Sequence, residues 1–204
     1  MKKILCFGDS NTWGHNPVDC SRLEMPWPAI LREMLPDCEI IENGVCGRTT
    51  IFDDPTAPDK NGITAFRELI RNRDGADLAI IMLGTNDTLK YYDCDASGSA
   101  EGLRIFIKEW RNAFNDSKIL IVSPIEIKEC ALTHPLFKSL YNEGAPAKSK
   151  AFADYYSKMA KEENVYFMDA AKAAEASDID GIHMDPDGHE RLAKAIYKKI
   201  KEIL

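Results

Sequence analysis

Ser10 stands in the run Gly8-Asp9-Ser10-Asn11-Thr12-Trp13-Gly14, directly behind the apolar stretch Ile4-Leu5-Cys6-Phe7. An apolar run of that length closed by glycine predicts a buried strand that hands the following residues to a loop. In open parallel sheets the crevice beyond the carboxyl ends of the strands is where ligands bind, which puts Ser10 in a reactive place. A hydroxyl is a poor nucleophile at neutral pH until a base takes its proton. Near the other end of the chain, Asp180-Gly181-Ile182-His183 offers that base. Two intervening residues let a turn bring both side chains to one side, so Asp180 can accept from one imidazole nitrogen and leave the other for Ser10.

Two further stretches supply what an acyl-transfer site needs around a developing oxyanion. Leu83-Gly84-Thr85-Asn86-Asp87 follows another apolar run and offers the Asn86 amide as a donor, and Asn43-Gly44-Val45-Cys46-Gly47-Arg48-Thr49 offers the backbone N–H of Gly47. A serine behind a first strand is, alone, more often a turn residue or a helix cap. The accompanying Asp-x-x-His, Asn and Gly motifs favour the nucleophile.

Other residues of these types have blander expectations. His189 falls in the final helix, where a surface role is expected, and His15 is expected at the rim. His134 precedes Pro135 in a long loop and either lines the entrance or fills the loop. Asp178 has the wrong spacing from His183, while Asp9 and Asp87 are expected to fix loops by accepting backbone N–H groups. Trp13 either faces the acyl group or stacks in the core. Arg48 is expected in a salt bridge to the nearby acidic loop, Asn43 is expected to close a turn, and Cys46 is expected to be a small packing residue.

The four motifs, in this order, resemble those of the SGNH (GDSL-type) hydrolase superfamily: Gly8-Asp9-Ser10 with Gly14, the glycine of the second block at Gly47, Gly84-x-Asn86-Asp87, and Asp180-x-x-His183. The likeness covers nearly the whole chain. Cys6-Phe7-Gly8-Asp9-Ser10 with Thr12-Trp13-Gly14, Arg48-Thr49-Thr50, Asp53-Asp54-Pro55-Thr56 and Ile81 to Thr88 are most similar to the bacterial arylesterase/acyltransferase branch. The resemblance implies Ser10, Asp180 and His183 as the catalytic residues and Ser10, Gly47 and Asn86 as the oxyanion hole. Asn11 stands where the name-giving motif has leucine, which bears on substrate preference, and Asn11, Trp13, His134 and Phe137 are the candidate substrate contacts.

Composition bounds the partners. The chain has 204 residues, 45% of them hydrophobic and 29% charged, with a formal net charge of −7. Those values suit one soluble domain spanning 1–204 and disfavour nonspecific nucleic-acid or anionic-membrane binding, which call for a basic surface. Met1-Lys2-Lys3 is basic, but the apolar run behind it is far short of a secretory segment, so a cytoplasmic protein is expected. The six cysteines show no C-x-x-C pair and are expected as reduced thiols. No histidine, cysteine and glutamate cluster has zinc spacing, and neither metal nor cofactor is expected.

The elements that must position these residues follow from the periodicity. Helices are expected over Pro26 to Leu35, Gly62 to Asn72, Ala100 to Phe114, Lys148 to Glu162 and Pro186 to Leu204. Strands are expected at Cys38 to Ile41, Leu78 to Leu83, Ile119 to Val122 and Val165 to Met168, in addition to the first. Asp185 with Pro186 behind it predicts an N-cap followed by proline at the first helical position. Alternating strands and helices predict a three-layer α/β/α sandwich around a five-stranded parallel sheet of flavodoxin-like order 2-1-3-4-5. The aspartate- and proline-rich stretch from Phe52 to Asn61 is expected as an ordered surface loop or an interface. The long stretch from Ser123 to Gly144, with Leu132, Leu136, Phe137, Leu140 and Tyr141, is expected to wall an acyl pocket or pack on a neighbouring subunit.

The expected activity is that of a serine esterase acting on short-chain aryl, alkyl or sugar esters, with water or an alcohol as acceptor. Resemblance to the branch implies a homo-oligomer. A flavodoxin-like phosphate- or flavin-binding module is the alternative of a different class, because a Ser/Thr/Gly loop behind a first strand can cradle phosphate. Among hydrolases, the alternatives are a carbohydrate O-acetyl esterase, a lysophospholipase and a thioesterase.

Overall fold

The computed structural model describes residues 1–54, 57–72, 75–92 and 94–204, with Pro58 through its backbone alone. Five parallel strands, β1 (Lys2–Gly8), β2 (Cys38–Gly44), β3 (Leu78–Met82), β4 (Lys118–Ser123) and β5 (Tyr166–Asp169), lie in the order β2-β1-β3-β4-β5. The helices are α1 (Ser10–Trp13), α2 (Trp27–Met34), α3 (Gly62–Arg71), α4 (Ala96–Ala113), α5 (Ala145–Glu162) and α6 (Pro186–Ile203). The sheet is the expected flavodoxin-like α/β arrangement.

Alternation along the strands makes the layers. Ile4, Cys6, Ile80 and Val122 point into one core with Trp27 and Leu31 of α2 and Leu192 and Ile196 of α6. Leu5, Phe7, Ile81 and Ile121 point into the other, with Phe66 of α3, Phe106 and Trp110 of α4, and Phe152 and Tyr156 of α5. Both faces of the central strands are therefore apolar, as a parallel sheet covered on both sides requires. In the second core the Phe66 ring packs edge-on against Phe7 at 5.0 Å and lies 5.4 Å from Trp110. Truncating such a buried ring to alanine typically costs about 3–5 kcal/mol.

Register brings the strand ends level. Gly8 of β1 lies opposite Gly44 of β2 and Met82 of β3, so the segments that follow these three strands leave the sheet side by side. Those segments carry Ser10, Gly47 and Asn86.

Several boundaries differ from the sequence expectation for local reasons. β2 runs on to Gly44 because its polar end is satisfied from outside: Glu42 accepts from Arg22 and Arg32, and Asn43 from Arg48. Asn43 thus lies in a strand and does not close a turn. α4 starts at Ala96, where Asp95 caps it by accepting from the Gly98 N–H at 2.8 Å. α5 starts at Ala145 with proline in its first turn.

The stretch from Phe52 to Asn61 holds a 3-10 turn at Pro58–Lys60. Asn61 then caps α3, accepting from Thr64 N–H and donating to Ile51 O and Asp53 Oδ1. Pro55 and Thr56 of the Asp53-Asp54-Pro55-Thr56 motif lie outside the described residues. Behind β4 the chain makes a 3-10 turn at Glu129–Leu132 and builds a satellite core of Ile127, Ala131, Tyr141, Ala145 and Ile182, with Phe137 packed against it. Ile182 belongs to the segment that carries His183, so this loop supports that segment directly. All six cysteines are free, and no helix among the described residues is long and apolar enough to cross a membrane.

Candidate active site

The single turn α1 is closed at both ends by its own sequence. Asp9 caps it, its Oδ1 accepting from the Asn11 N–H at 2.9 Å. Gly14 ends it with φ +93°, and the N–H groups of Gly14 and His15 both donate to the Ser10 carbonyl, at 2.8 and 3.0 Å. A Cβ at Gly14 would also stand 2.5 Å from Pro26 Cβ, so glycine is required there on two counts.

Ser10 Oγ lies 2.8 Å from His183 Nε2, and His183 Nδ1 lies 2.6 Å from Asp180 Oδ2. Asp180 Oδ1 accepts the N–H groups of Ile182 and His183, each at 2.9 Å. Burial works to raise the Asp180 pKa, but the hydrogen bond and charge of His183 and the two backbone donors outweigh it and leave the pKa below its ordinary value. The turn between the two residues passes through Gly181 at φ +75°, where a Cβ would meet Ala131 N at 2.7 Å. All three side chains are buried, with Asp180 at 0% exposure. The line of contacts can pass the Ser10 proton to an imidazole whose tautomer is set by a buried carboxylate. Ligand atoms of His15, Asp180 and His183 fall within 4.8 Å of one another, the spacing of a cation site. As arranged, both Asp180 oxygens already accept from N–H donors.

Asn86 sits in the 3-10 turn Thr85–Thr88 behind β3, and its Nδ2 donates to Arg48 O at 3.0 Å, which leaves a second N–H on the same nitrogen. Among the described residues, the N–H groups of Ser10 and Gly47 donate to no protein acceptor. The oxyanion candidates therefore keep free donors.

Arg48 departs from its expected salt bridge. It is 3% exposed, and its guanidinium donates to Gly8 O at 2.9 Å, to Asn43 O at 2.6 Å and to Asn43 Oδ1 at 3.0 Å, over the Phe7 ring at 4.1 Å. It ties the carboxyl ends of β1 and β2 together beneath the Gly47 loop. Burial lowers its pKa to about 10, against the pull of Asp9, so it remains charged at neutral pH. Asp87 accepts from Thr50 N–H at 2.8 Å and from the hydroxyls of Thr50 and Ser99, each at 2.7 Å, which fixes the next part of the same loop. Burial pushes the carboxyls of Asp9 and Asp87 up to about 6.

The four candidate substrate contacts divide. Phe137 lies 5.7 Å from the His183 ring and so flanks the base, and His134 stacks on Phe137 at 5.1 Å. Trp13 is partly buried, with its ring 6.4 Å from that of His15. Asn11 is 3% exposed, and its side chain donates to Ile182 O and accepts from Met184 N–H, each at 3.1 Å, so it is bound to the segment that carries His183.

Two histidines also differ from expectation. His189 is fully buried, with Nδ1 accepting from Trp27 N–H at 3.2 Å, and burial lowers its pKa to about 4. It is a core residue joining α6 to α2. His15 is more than a rim residue, since its ring lies 4.0 Å from that of His183 at 32°. One signal for this was available: a residue just past a C-terminal glycine cap is turned back toward the start of its own helix.

Comparison with known proteins bears on this geometry. The model of the GDSL-like lipase/acylhydrolase family matches residues 4–196. Among solved structures, the native aryl esterase of M. smegmatis is 33% identical with a TM-score of 0.93, each chain covered in full. Est24, a carbohydrate acetylesterase from Sinorhizobium meliloti, is 31% identical with a TM-score of 0.92, again over 100% of both chains. A lipolytic G-D-S-L family member from Veillonella parvula, at 16% identity over 96% of each chain and a TM-score of 0.72, shares the fold. Comparison with curated protein sequences gives no match.

Proposed function

The chain belongs to the GDSL-like lipase/acylhydrolase family and is an ester hydrolase, and we propose that it is a serine esterase for short-chain acyl esters, with Ser10 as nucleophile. The observation that carries this reading is the unbroken line from Ser10 Oγ through the His183 ring to the buried Asp180 carboxylate, at 2.8 and 2.6 Å.

In this reading Ser10 Oγ attacks the ester carbonyl while His183 Nε2 takes its proton. Asp180 holds the proton on Nδ1 and stabilises the imidazolium. Negative charge growing on the carbonyl oxygen is met by the N–H groups of Ser10 and Gly47 and by the Asn86 amide, with one such donor worth about 3–4 kcal/mol. His183 then returns its proton to the leaving alcohol as the C–O bond breaks. Water or a second alcohol gives a proton to His183 and attacks the acyl-serine, and collapse of that intermediate frees Ser10.

The Phe137 ring beside His183, with His134 stacked on it, supports small acyl groups and planar leaving groups. The likeness to an aryl esterase and a carbohydrate acetylesterase supports aryl and sugar acetates as the first substrates to try. Turnover of p-nitrophenyl acetate, butyrate and octanoate by wild type and Ser10→Ala, with and without an added alcohol, tests the reading. Wild-type turnover that falls with chain length and vanishes in Ser10→Ala supports it, and a new ester in the presence of alcohol extends it to acyl transfer. An alanine variant that keeps its turnover ends it.

A further inference from the structure

His15 is joined to both the nucleophile and the base. Its backbone N–H donates to the Ser10 carbonyl at 3.0 Å, while its ring lies on the His183 ring with centroids 4.0 Å apart and planes at 32°. The Phe137 ring also lies against His183, tilted at 58° with centroids 5.7 Å apart. His183 thus makes aromatic contacts with His15 and Phe137, and the nearer of these is carried by a residue whose backbone is fixed to Ser10.

The chemistry of the His15 ring suits that place. Its Nε2 is buried and has no hydrogen-bond partner among the described residues, so none of them ties the ring down through this nitrogen. Burial, and then the proximity of His183, lower its pKa to about 4, so the ring is neutral at neutral pH. Asp180 and Asp19 act in the opposite sense on the same ring. A neutral aromatic face against an imidazole that becomes cationic during attack is attractive, whereas a charged one would repel it.

We propose that His15 is a positioning residue for His183, holding the imidazole by a flat neutral face so that Nε2 stays directed at Ser10 Oγ while the ring is charged. This rests on the serine esterase reading. The side chain acts through the base and need not touch substrate. Its contribution belongs to the rate of the chemical step more than to ground-state binding, because small misplacements of a reacting group are costly in kcat.

The test is steady-state kinetics on p-nitrophenyl acetate, with kcat and KM resolved separately for wild type, His15→Ala, His15→Leu and His15→Phe. His15→Leu keeps bulk at the position without an aromatic face, and His15→Phe restores the face without a titrating nitrogen. The expected result is a loss of kcat of roughly 10- to 100-fold in the alanine and leucine variants with KM within about twofold, and recovery to within about threefold of wild type with phenylalanine. The proposal is overturned if alanine and leucine leave kcat unchanged, if they alter KM alone, or if phenylalanine is as slow as leucine. An active wild type with unaffected His15 variants removes this role and leaves the esterase reading standing. A wild type without ester turnover removes both.

Discussion

Asn11 brackets His183: its side-chain amide pairs with the carbonyl of Ile182 and the N–H of Met184, the two peptide groups on either side of the imidazole-bearing residue. One short polar side chain, next to Ser10 in sequence, therefore holds the backbone of the segment that delivers the candidate base. Asn11→Leu removes donor and acceptor together and leaves both backbone groups buried and unpaired. A loss of about 1–3 kcal/mol in stability is expected from the unsatisfied pair. Urea denaturation of the two proteins measures it, and a midpoint equal to wild type at unchanged slope would show that the bracket contributes nothing.

Asp180→Asn separates orientation from charge. The amide oxygen can still accept the N–H groups of Ile182 and His183, so the turn is expected to hold. Against His183 Nδ1, however, it presents an NH2 group, which favours the wrong imidazole tautomer. Loss of the corresponding charge in a triad lowers kcat by about 10⁴-fold, and a comparable fall is expected here with little change in the melting temperature. Retention of more than a tenth of wild-type kcat on p-nitrophenyl acetate would contradict the assignment of Asp180.

Asn86→Ala removes one candidate oxyanion donor and, with it, the bond to Arg48 O. Loss of such a donor lowers kcat by about 10²- to 10³-fold with KM little changed. If the effect came only from disturbing the Gly47 loop through the lost Arg48 bond, the melting temperature would fall together with kcat. A fall in kcat with the melting temperature and KM little changed, measured on the same ester, is the expected outcome.

How much of this was legible in the sequence depends on how far apart the partners are. The strands followed from apolar runs such as Leu78 to Met82, and the sheet order followed from their alternation with helices. Ser10, Asp180 and His183, which the fold brings into contact, stand out as candidates because each sits in a short local motif. What stayed hidden were pairings across long separations. Asn11 meets partners more than 170 positions away, and His189 meets Trp27 across 162. Nothing near either residue in sequence encodes the contact, and the same residue types are ordinary at surfaces. Arg48 was misassigned for a related reason: the acidic loop lies close in sequence, but the carbonyls at the ends of β1 and β2 were the groups left needing a donor.

Asp87 gives the molecule a stability that depends on pH. Burial raises its carboxyl from 3.8 to about 6, even though Thr50 and Ser99 donate to it. Between those two values the folded chain holds a proton on Asp87 that the unfolded chain has lost, so its contribution to stability falls as pH rises from about 4 to about 6 and is constant above that. The gap corresponds to roughly 3 kcal/mol for this one group. In Asp87→Asn the oxygen can still accept from the Thr50 N–H, the NH2 can donate to the two hydroxyls, and no charge has to form. Asp9, which burial also raises to about 6, titrates in both proteins and cancels from the comparison. Urea denaturation of wild type and Asp87→Asn at pH 4.5 and 7.5 should therefore show the wild type losing ground to the variant by about 2 kcal/mol between the two conditions. An unchanged difference between the two proteins would mean that the carboxylate is accommodated as comfortably in the fold as in water, with the three donors outweighing burial.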